Sequence, residues 1–245
     1  MSLLEARGLS RHFGGVQAVA ALDLDVAEGE VVGLIGPNGA GKTTVFNLLS
    51  GFLAPDAGQI RFRGRSVLDW KPHAICALGL ARTFQIVRPF PRLTVLDNVL
   101  VGALGRHPDA GEARARARRV VDRLGLGARA STLAAGLTLA ERKRVELARA
   151  LATEPALLLL DEVMAGLNPT EIATLVGLIR DIHAGGVSIL LIEHNMRAVM
   201  ALSNRIVVLN FGERVAEGTP AAVASHPRVI EAYLGEDDVH AAPAR

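Results

Sequence analysis

The sequence predicts an α/β fold with a mixed sheet, an N-terminal antiparallel β portion and a helical insert. Three observations carry that expectation. Residues 30–36 (EVVGLIG), 156–161 (ALLLLD) and 187–193 (VSILLIE) are short, continuously apolar runs bounded by Gly, Pro or acidic residues, as strands buried on both faces should be. Helical patterns alternate with them, over 42–50 and over 170–184, where Ile172, Leu175, Val176, Ile179 and Ile182 fall at helical spacing. Between 95 and 153 the β pattern disappears.

The elements follow in order along the chain. Residues 17–26 and 58–64 alternate in the manner of antiparallel strands, and 205–211 with 214–217 across Gly212 reads as a hairpin. The segments 95–104, 111–124 and 140–153 are helices interrupted by Gly or Pro. We therefore expect one domain over 1–245, its core made of 1–85 and 155–245, with a helical subdomain over approximately 86–154. The run EARARARR (112–119) reads as the solvated face of a helix, and the polar tail 236–245 as a frayed end.

Composition narrows the function classes. The chain has 245 residues, half of them apolar, which is enough for a sizeable core. Its 27 basic and 25 acidic residues leave a net charge of only +2, so a nucleic-acid-coating role is excluded. Cys76 is the single cysteine, which excludes an internal disulfide and a cysteine-cluster zinc site and reads as a small buried hydrophobe. The N-terminus lacks the apolar block of a secretory signal, and no apolar run approaches the ~18 residues that span a bilayer. A cytoplasmic chain, at most peripheral on the inner face of the cell membrane, is expected.

Gly36-Pro37-Asn38-Gly39-Ala40-Gly41-Lys42-Thr43 matches the phosphate-loop pattern G-x-x-x-x-G-K-[ST], between a predicted strand and a predicted helix. The glycines let successive backbone N–H groups point inward at phosphate oxygens, and the helix that begins near Lys42 adds its positive end. Lys42, one of only three lysines, reaches the β- and γ-phosphates of a nucleotide, and the Thr43 hydroxyl ligates Mg2+. The run 157–160 ends in Asp161-Glu162, where Asp161 is placed to hold Mg2+ through water and Glu162 to polarise the attacking water. His194 closes a third apolar run, and Gln85 lies in ARTFQ; neither means much alone.

Taken together and in this order, the phosphate loop, Gln85, Asp161-Glu162 and His194 resemble the ATP-binding subunit of an ABC transporter, over essentially the whole chain. The resemblance implies a P-loop NTPase core of the ABC type, ATP and Mg2+ as ligands, and ATP hydrolysis coupled to transmembrane transport. It implies that Gly36 to Thr44 bind the triphosphate, that Phe13 stacks on adenine, that Gln85 senses Mg2+ and the γ-phosphate, that Glu162 is the catalytic base and that His194 contacts the γ-phosphate. The D-loop falls on Ala165-Gly166-Leu167-Asn168-Pro169, with Asn168 for the usual Asp.

The family's signature loop, Leu-Ser-Gly-Gly-Gln, falls here on Leu137-Thr138-Leu139-Ala140-Glu141. Thr138 keeps a hydroxyl that can meet the partner subunit's nucleotide. Leu139 and Ala140 replace two glycines, and Glu141 sets a negative charge where a neutral amide normally stands, which is expected to weaken binding of the partner's γ-phosphate. Narrower stretches, 79–102, the AGLNP segment, 192–200 and 230–235, are similar to branched-chain amino acid importer ATPases of the hydrophobic amino acid uptake group. The implied partners are a second ATPase subunit, like or unlike, two transmembrane permeases and, indirectly, a periplasmic or extracellular binding protein; nucleic acid is not expected. Residues 86–96 are the expected permease-facing segment. Amide or urea uptake and lipopolysaccharide export are the neighbouring alternatives, and a non-hydrolysing regulatory ATP-binding module is the alternative of another class.

Overall fold

The computed structural model describes residues 2–229 and Glu231. The stretch 230–235, apart from Glu231, and the tail 236–245 thus lie outside the described residues. The chain forms two compact units, one of residues 2–71 with 190 onward and the other Pro72–Ile189. The second unit is wider than the helical stretch 86–154 because it also takes in two strands and the helices beside them.

The first unit opens with a long hairpin, β1 (Ser2–Phe13) and β2 (Val16–Ala27), turned at Gly14-Gly15. In β2 the alternation is plain: Val19, Leu22, Leu24 and Val26 are buried and the residues between them are not. β1 is hidden in the sequence because register shifts between Ala6 and Leu9 and between Leu9 and Arg11 break its period, with Gly8 at φ 59° between them. β3 (Val31–Ile35) is buried throughout and runs into the phosphate loop and α1 (Lys42–Leu49). β4 (Ala57–Phe62) pairs antiparallel with β1, and β5 (Arg65–Ser66) with β4, which gives the sheet order β2-β1-β4-β5 and the expected antiparallel portion.

The second unit starts with α2 (Pro72–Leu78) and β6 (Leu80–Arg82). Three helices follow, α3 (Val95–Leu104), α4 (Ala110–Arg123) and α5 (Leu139–Leu151), within two residues of the expected positions. Thr94 and Asp109 cap the first two through their side chains, as their place before an apolar period suggests. α4 buries Ala113, Ala117, Val120 and Val121, while Arg118 faces outward to Asp122 at 3.0 Å, so the arginine run is a solvated face. β7 (Leu157–Asp161) is buried throughout and parallel to β6, with Arg82 opposite Leu159. Each of its leucines contributes about 1.5–3 kcal/mol by burial. α6 (Pro169–Ala184) completes the unit, with Asn168 as its N-cap and Pro169 at its first position.

β8 (Ser188–Ile192) returns the chain to the first unit and is also buried throughout. α7 (Met196–Leu202), β9 (Arg205–Asn210), β10 (Glu213–Gly218) and α8 (Pro220–Ala224) follow. β9 is parallel to β3 and antiparallel to β10, so the sheet is mixed. Arg205 fastens this unit, donating to Glu30 Oε1 at 2.8 Å and to Asp25 O at 2.8 Å and pairing with Glu217. Among the described residues no helix is long and apolar enough to cross a membrane.

Candidate functional site

The phosphate loop lies in the first unit. Gly36 (φ 150°), Gly39 (φ 78°) and Gly41 (φ 99°) bend it through backbone conformations that side chains resist. Space forbids them too: a Cβ on Gly36 would lie 2.1 Å from Leu209 O, and one on Gly41 2.2 Å from Ala18 O. The turn between β9 and β10 braces the loop, since Gly212 N–H donates to Ala40 O at 3.1 Å and Gly212 O accepts from Ala20 N–H at 2.9 Å.

Gly41 is also the N-cap of α1 and offers no side chain to cap it. Lys42 is buried (6% exposed), and its ammonium turns back into the loop, donating to Gly36 O at 2.6 Å and Pro37 O at 2.8 Å. Asn38, Gly39 and Thr43 stand exposed at the rim, while Pro37 and Thr44 are half-buried. A glycine cradle with an inward ammonium at an uncapped helix start fits an anion of the size of a polyphosphate.

Phe13 ends β1 in the same unit, 46% exposed, with the Arg11 guanidinium 5.2 Å from its ring centre. His194 is exposed just beyond β8, between the buried Glu193 and Asn195, whose side chain accepts from Ala198 N–H at 3.0 Å to cap α7.

The carboxylates lie in the second unit. Asp161 ends β7 at 1% exposure, its Oδ2 paired with Arg82 Nη2 at 2.8 Å and its N–H donating to Thr83 Oγ1 at 3.2 Å. Glu162 follows in the left-handed region at φ 48°, a rare conformation for a residue with a side chain. Gln85 meets it: Gln85 Nε2 donates to Glu162 Oε2 at 2.7 Å. The structure thus brings together two of the residues singled out in the sequence, 77 positions apart. Three further residues act on this spot that the sequence does not flag. Arg82 pairs with Asp161, Lys143 Nζ donates to Glu162 O at 3.0 Å, and Glu146 Oε1 accepts from Phe84 N–H at 2.7 Å.

Thr138 is the N-cap of α5, its hydroxyl oxygen accepting from Glu141 N–H at 3.3 Å while the Glu141 carboxylate accepts from Thr138 N–H at 2.9 Å. The Thr138 side chain is a further, weaker hydrogen-bond partner of the same carboxylate. Glu141 has partners that the sequence does not show. Its carboxylate is engaged by the Thr138 amide and by Arg129 Nε at 3.0 Å, and these, the amide foremost and against some desolvation, hold it below the usual glutamate range. Its charge is therefore compensated within the chain. Leu139 is exposed beside the D-loop, where a Cβ on Gly166 would lie 3.1 Å from Leu139 Cδ2. Cys76 is half-buried, and burial pushes its thiol up, against a weaker hydrogen bond with Thr153.

Residues 19–165 match the family described as ABC transporter. The chain belongs to that family. Residues 213–239 of this ABC ATPase also match the family described as Branched-chain amino acid ATP-binding cassette transporter. The ABC ATPase is 43% identical to the high-affinity branched-chain amino acid transport ATP-binding protein LivG of Salmonella typhimurium, over 96% of this chain and 98% of that protein. It is 42% identical to BraF of Pseudomonas aeruginosa, of the same description, with the same coverage. Its fold superposes on the crystal structure of the ADP conformation of MJ1267, an ATP-binding cassette of an ABC transporter, with a TM-score of 0.88 and 30% identity over 96% of this chain and 99% of that one. The ABC ATPase accordingly binds nucleotide and hydrolyses ATP in the service of transport.

Proposed function

We propose that this ABC ATPase powers the import of branched-chain or other hydrophobic amino acids, as one of a pair of ATPase subunits at the inner face of the membrane beneath two permeases fed by a binding protein. The observation that carries this reading is the end-to-end similarity to branched-chain amino acid transport ATP-binding proteins, at 42–43% identity. Sequence similarity to the lipopolysaccharide export ATP-binding protein LptB of Acidithiobacillus ferridurans is lower, 36% over 96% of this chain. Export is therefore the second reading.

Each residue has a role in this account. Gly36 to Thr44 receive the triphosphate, with Lys42 exchanging its loop carbonyls for β- and γ-phosphate oxygens. Phe13 stacks on adenine. Thr43, Gln85 and, through water, Asp161 are the residues that would hold Mg2+, which would supply neutralisation of the phosphoryl charge. Glu162 removes the proton of the attacking water, oriented meanwhile by Gln85, and His194 contacts the γ-phosphate. Thr138 meets the nucleotide of the partner subunit.

The segment 86–96 faces the permease. Ile86 (65% exposed) and Phe90 (45%) present apolar surface, and the buried Asn98 holds the backbone beneath them, accepting from Phe90 N–H at 2.8 Å and donating to Phe90 O at 3.1 Å. Nucleotide binding biases the permease between its two states, and hydrolysis resets it.

The test is Glu162→Gln in the assembled transporter. We expect ATP binding to be kept and turnover to fall by at least 100-fold, the scale of losing a general base. Unchanged turnover would place hydrolysis elsewhere and favour the regulatory module.

A further inference from the structure

Two buried charges on α5 have no part in the roles above. Lys143 is 5% exposed and Glu146 is 4% exposed. They stand three residues apart on one helix, hence on one face. Each holds a backbone atom, and the two atoms belong to the same small structure. Lys143 Nζ donates to the carbonyl of Glu162 at 3.0 Å, and Glu146 Oε1 accepts the N–H of Phe84, the residue before Gln85, at 2.7 Å. Between these two anchors Gln85 Nε2 reaches Glu162 Oε2 at 2.7 Å.

We propose that Lys143 and Glu146 are positioning residues for hydrolysis: they fix the backbone on both sides of the Gln85–Glu162 hydrogen bond and thereby aim the Glu162 carboxylate. The inference rests on the assignment of Glu162 as the base. Two physical facts support it. Glu162 sits in the left-handed region at φ 48°, which a residue with a Cβ keeps only when its surroundings enforce it, and an ammonium on its own carbonyl is such an enforcement. Burial of two opposite charges is costly unless both are paired and hydrogen-bonded, so a fold needing only packing here would fare as well with two apolar side chains.

The Glu146 carboxyl is pushed up by burial, while the Phe84 amide, Arg149 and Lys143 oppose that shift and favour its charged form. Asp161 is the remaining charge that acts on it, in the opposite sense. α5 also begins at Thr138, so one rigid helix joins the loop that meets the partner's nucleotide to the backbone of this chain's own base.

The experiment compares Lys143→Met, Lys143→Arg and Glu162→Gln in the assembled transporter, reading kcat and KM for ATP·Mg2+. We expect K143M to lower kcat at least tenfold with KM changed less than twofold. We expect K143R, which keeps a cationic donor on a long stem, to recover at least a third of wild-type kcat. If K143M keeps kcat within twofold, if it moves KM as much as kcat, or if K143R is as inactive as K143M, the positioning role is wrong. Should K143M give no folded protein, Lys143→Gln is read the same way: a fall in kcat at constant KM supports the proposal and an unchanged kcat overturns it. E162Q separates the two claims, because full turnover in E162Q removes the base itself, whereas loss in E162Q with none in K143M removes only its positioning.

Discussion

Phe211 shows how far a single residue can stand against its backbone. It occupies the turn between β9 and β10 at φ 47° with its side chain 83% exposed, so the ring gains little from burial while the backbone bears the left-handed strain. Phe211→Asn is expected to raise stability by about 0.5–1 kcal/mol, since Asn tolerates this region better. A higher urea midpoint at unchanged slope would show it, and a lower midpoint would contradict it. Arg82 is the opposite case. Its guanidinium is 7% exposed against the 1% exposed Asp161 carboxylate, and Arg82→Ala leaves that carboxylate without this cation, at an expected loss of about 3–5 kcal/mol by chemical denaturation. A loss below ~1 kcal/mol would mean that Asp161 is held well enough by its other contacts.

At the scale of elements, the start of α5 carries the Glu141 charge and engages it locally, through the Thr138 amide and Arg129. The capping box of Thr138 and Glu141 ends the upstream loop cleanly, and Thr138→Ala should cost about 1 kcal/mol in thermal or urea unfolding. The Glu141 carboxyl is held below its ordinary value of 4.5, so the folded state binds its proton less tightly than the unfolded state. That contribution to stability is complete above about pH 4.5 and is lost as pH falls through the lower folded value. Glu141→Gln should flatten the acid side of the stability profile, and an identical acid limb in both proteins would contradict it.

Legibility from sequence follows the same line between local and distant. The phosphate loop is contiguous, so its glycines, Lys42 and Thr43 announce themselves, and the three buried strands do so through unbroken apolar runs. α3, α4 and α5 are readable because their periods and caps are local. β1 is not, because its bulges spoil the alternation. Arg82, Lys143 and Glu146 are ordinary charged residues in the sequence and acquire meaning only when folding carries Phe84, Glu162 and Asp161 to them. Glu141 was readable as a charge but not as a compensated one, since Arg129 sits twelve positions away.

The molecule as a whole is expected to work only with a second ATPase subunit. A loop built on Leu139 and Ala140 in place of glycines approaches a phosphate less closely, so the purified ABC ATPase alone should hydrolyse ATP slowly, and addition of the second ATPase subunit of its transporter should raise turnover at least tenfold. Full activity of the lone chain, measured as phosphate release, would contradict this. Ile86 and Phe90 are exposed, and they belong to the surface proposed above to meet a permease.

The most direct test of the import assignment is uptake of radiolabelled leucine by cells lacking this chain, complemented by the wild type or by Glu162→Gln. Uptake should be lost in the deletion, restored by the wild type and not restored by E162Q. Leucine uptake unchanged by the deletion, with the remaining branched-chain importers removed, would contradict it.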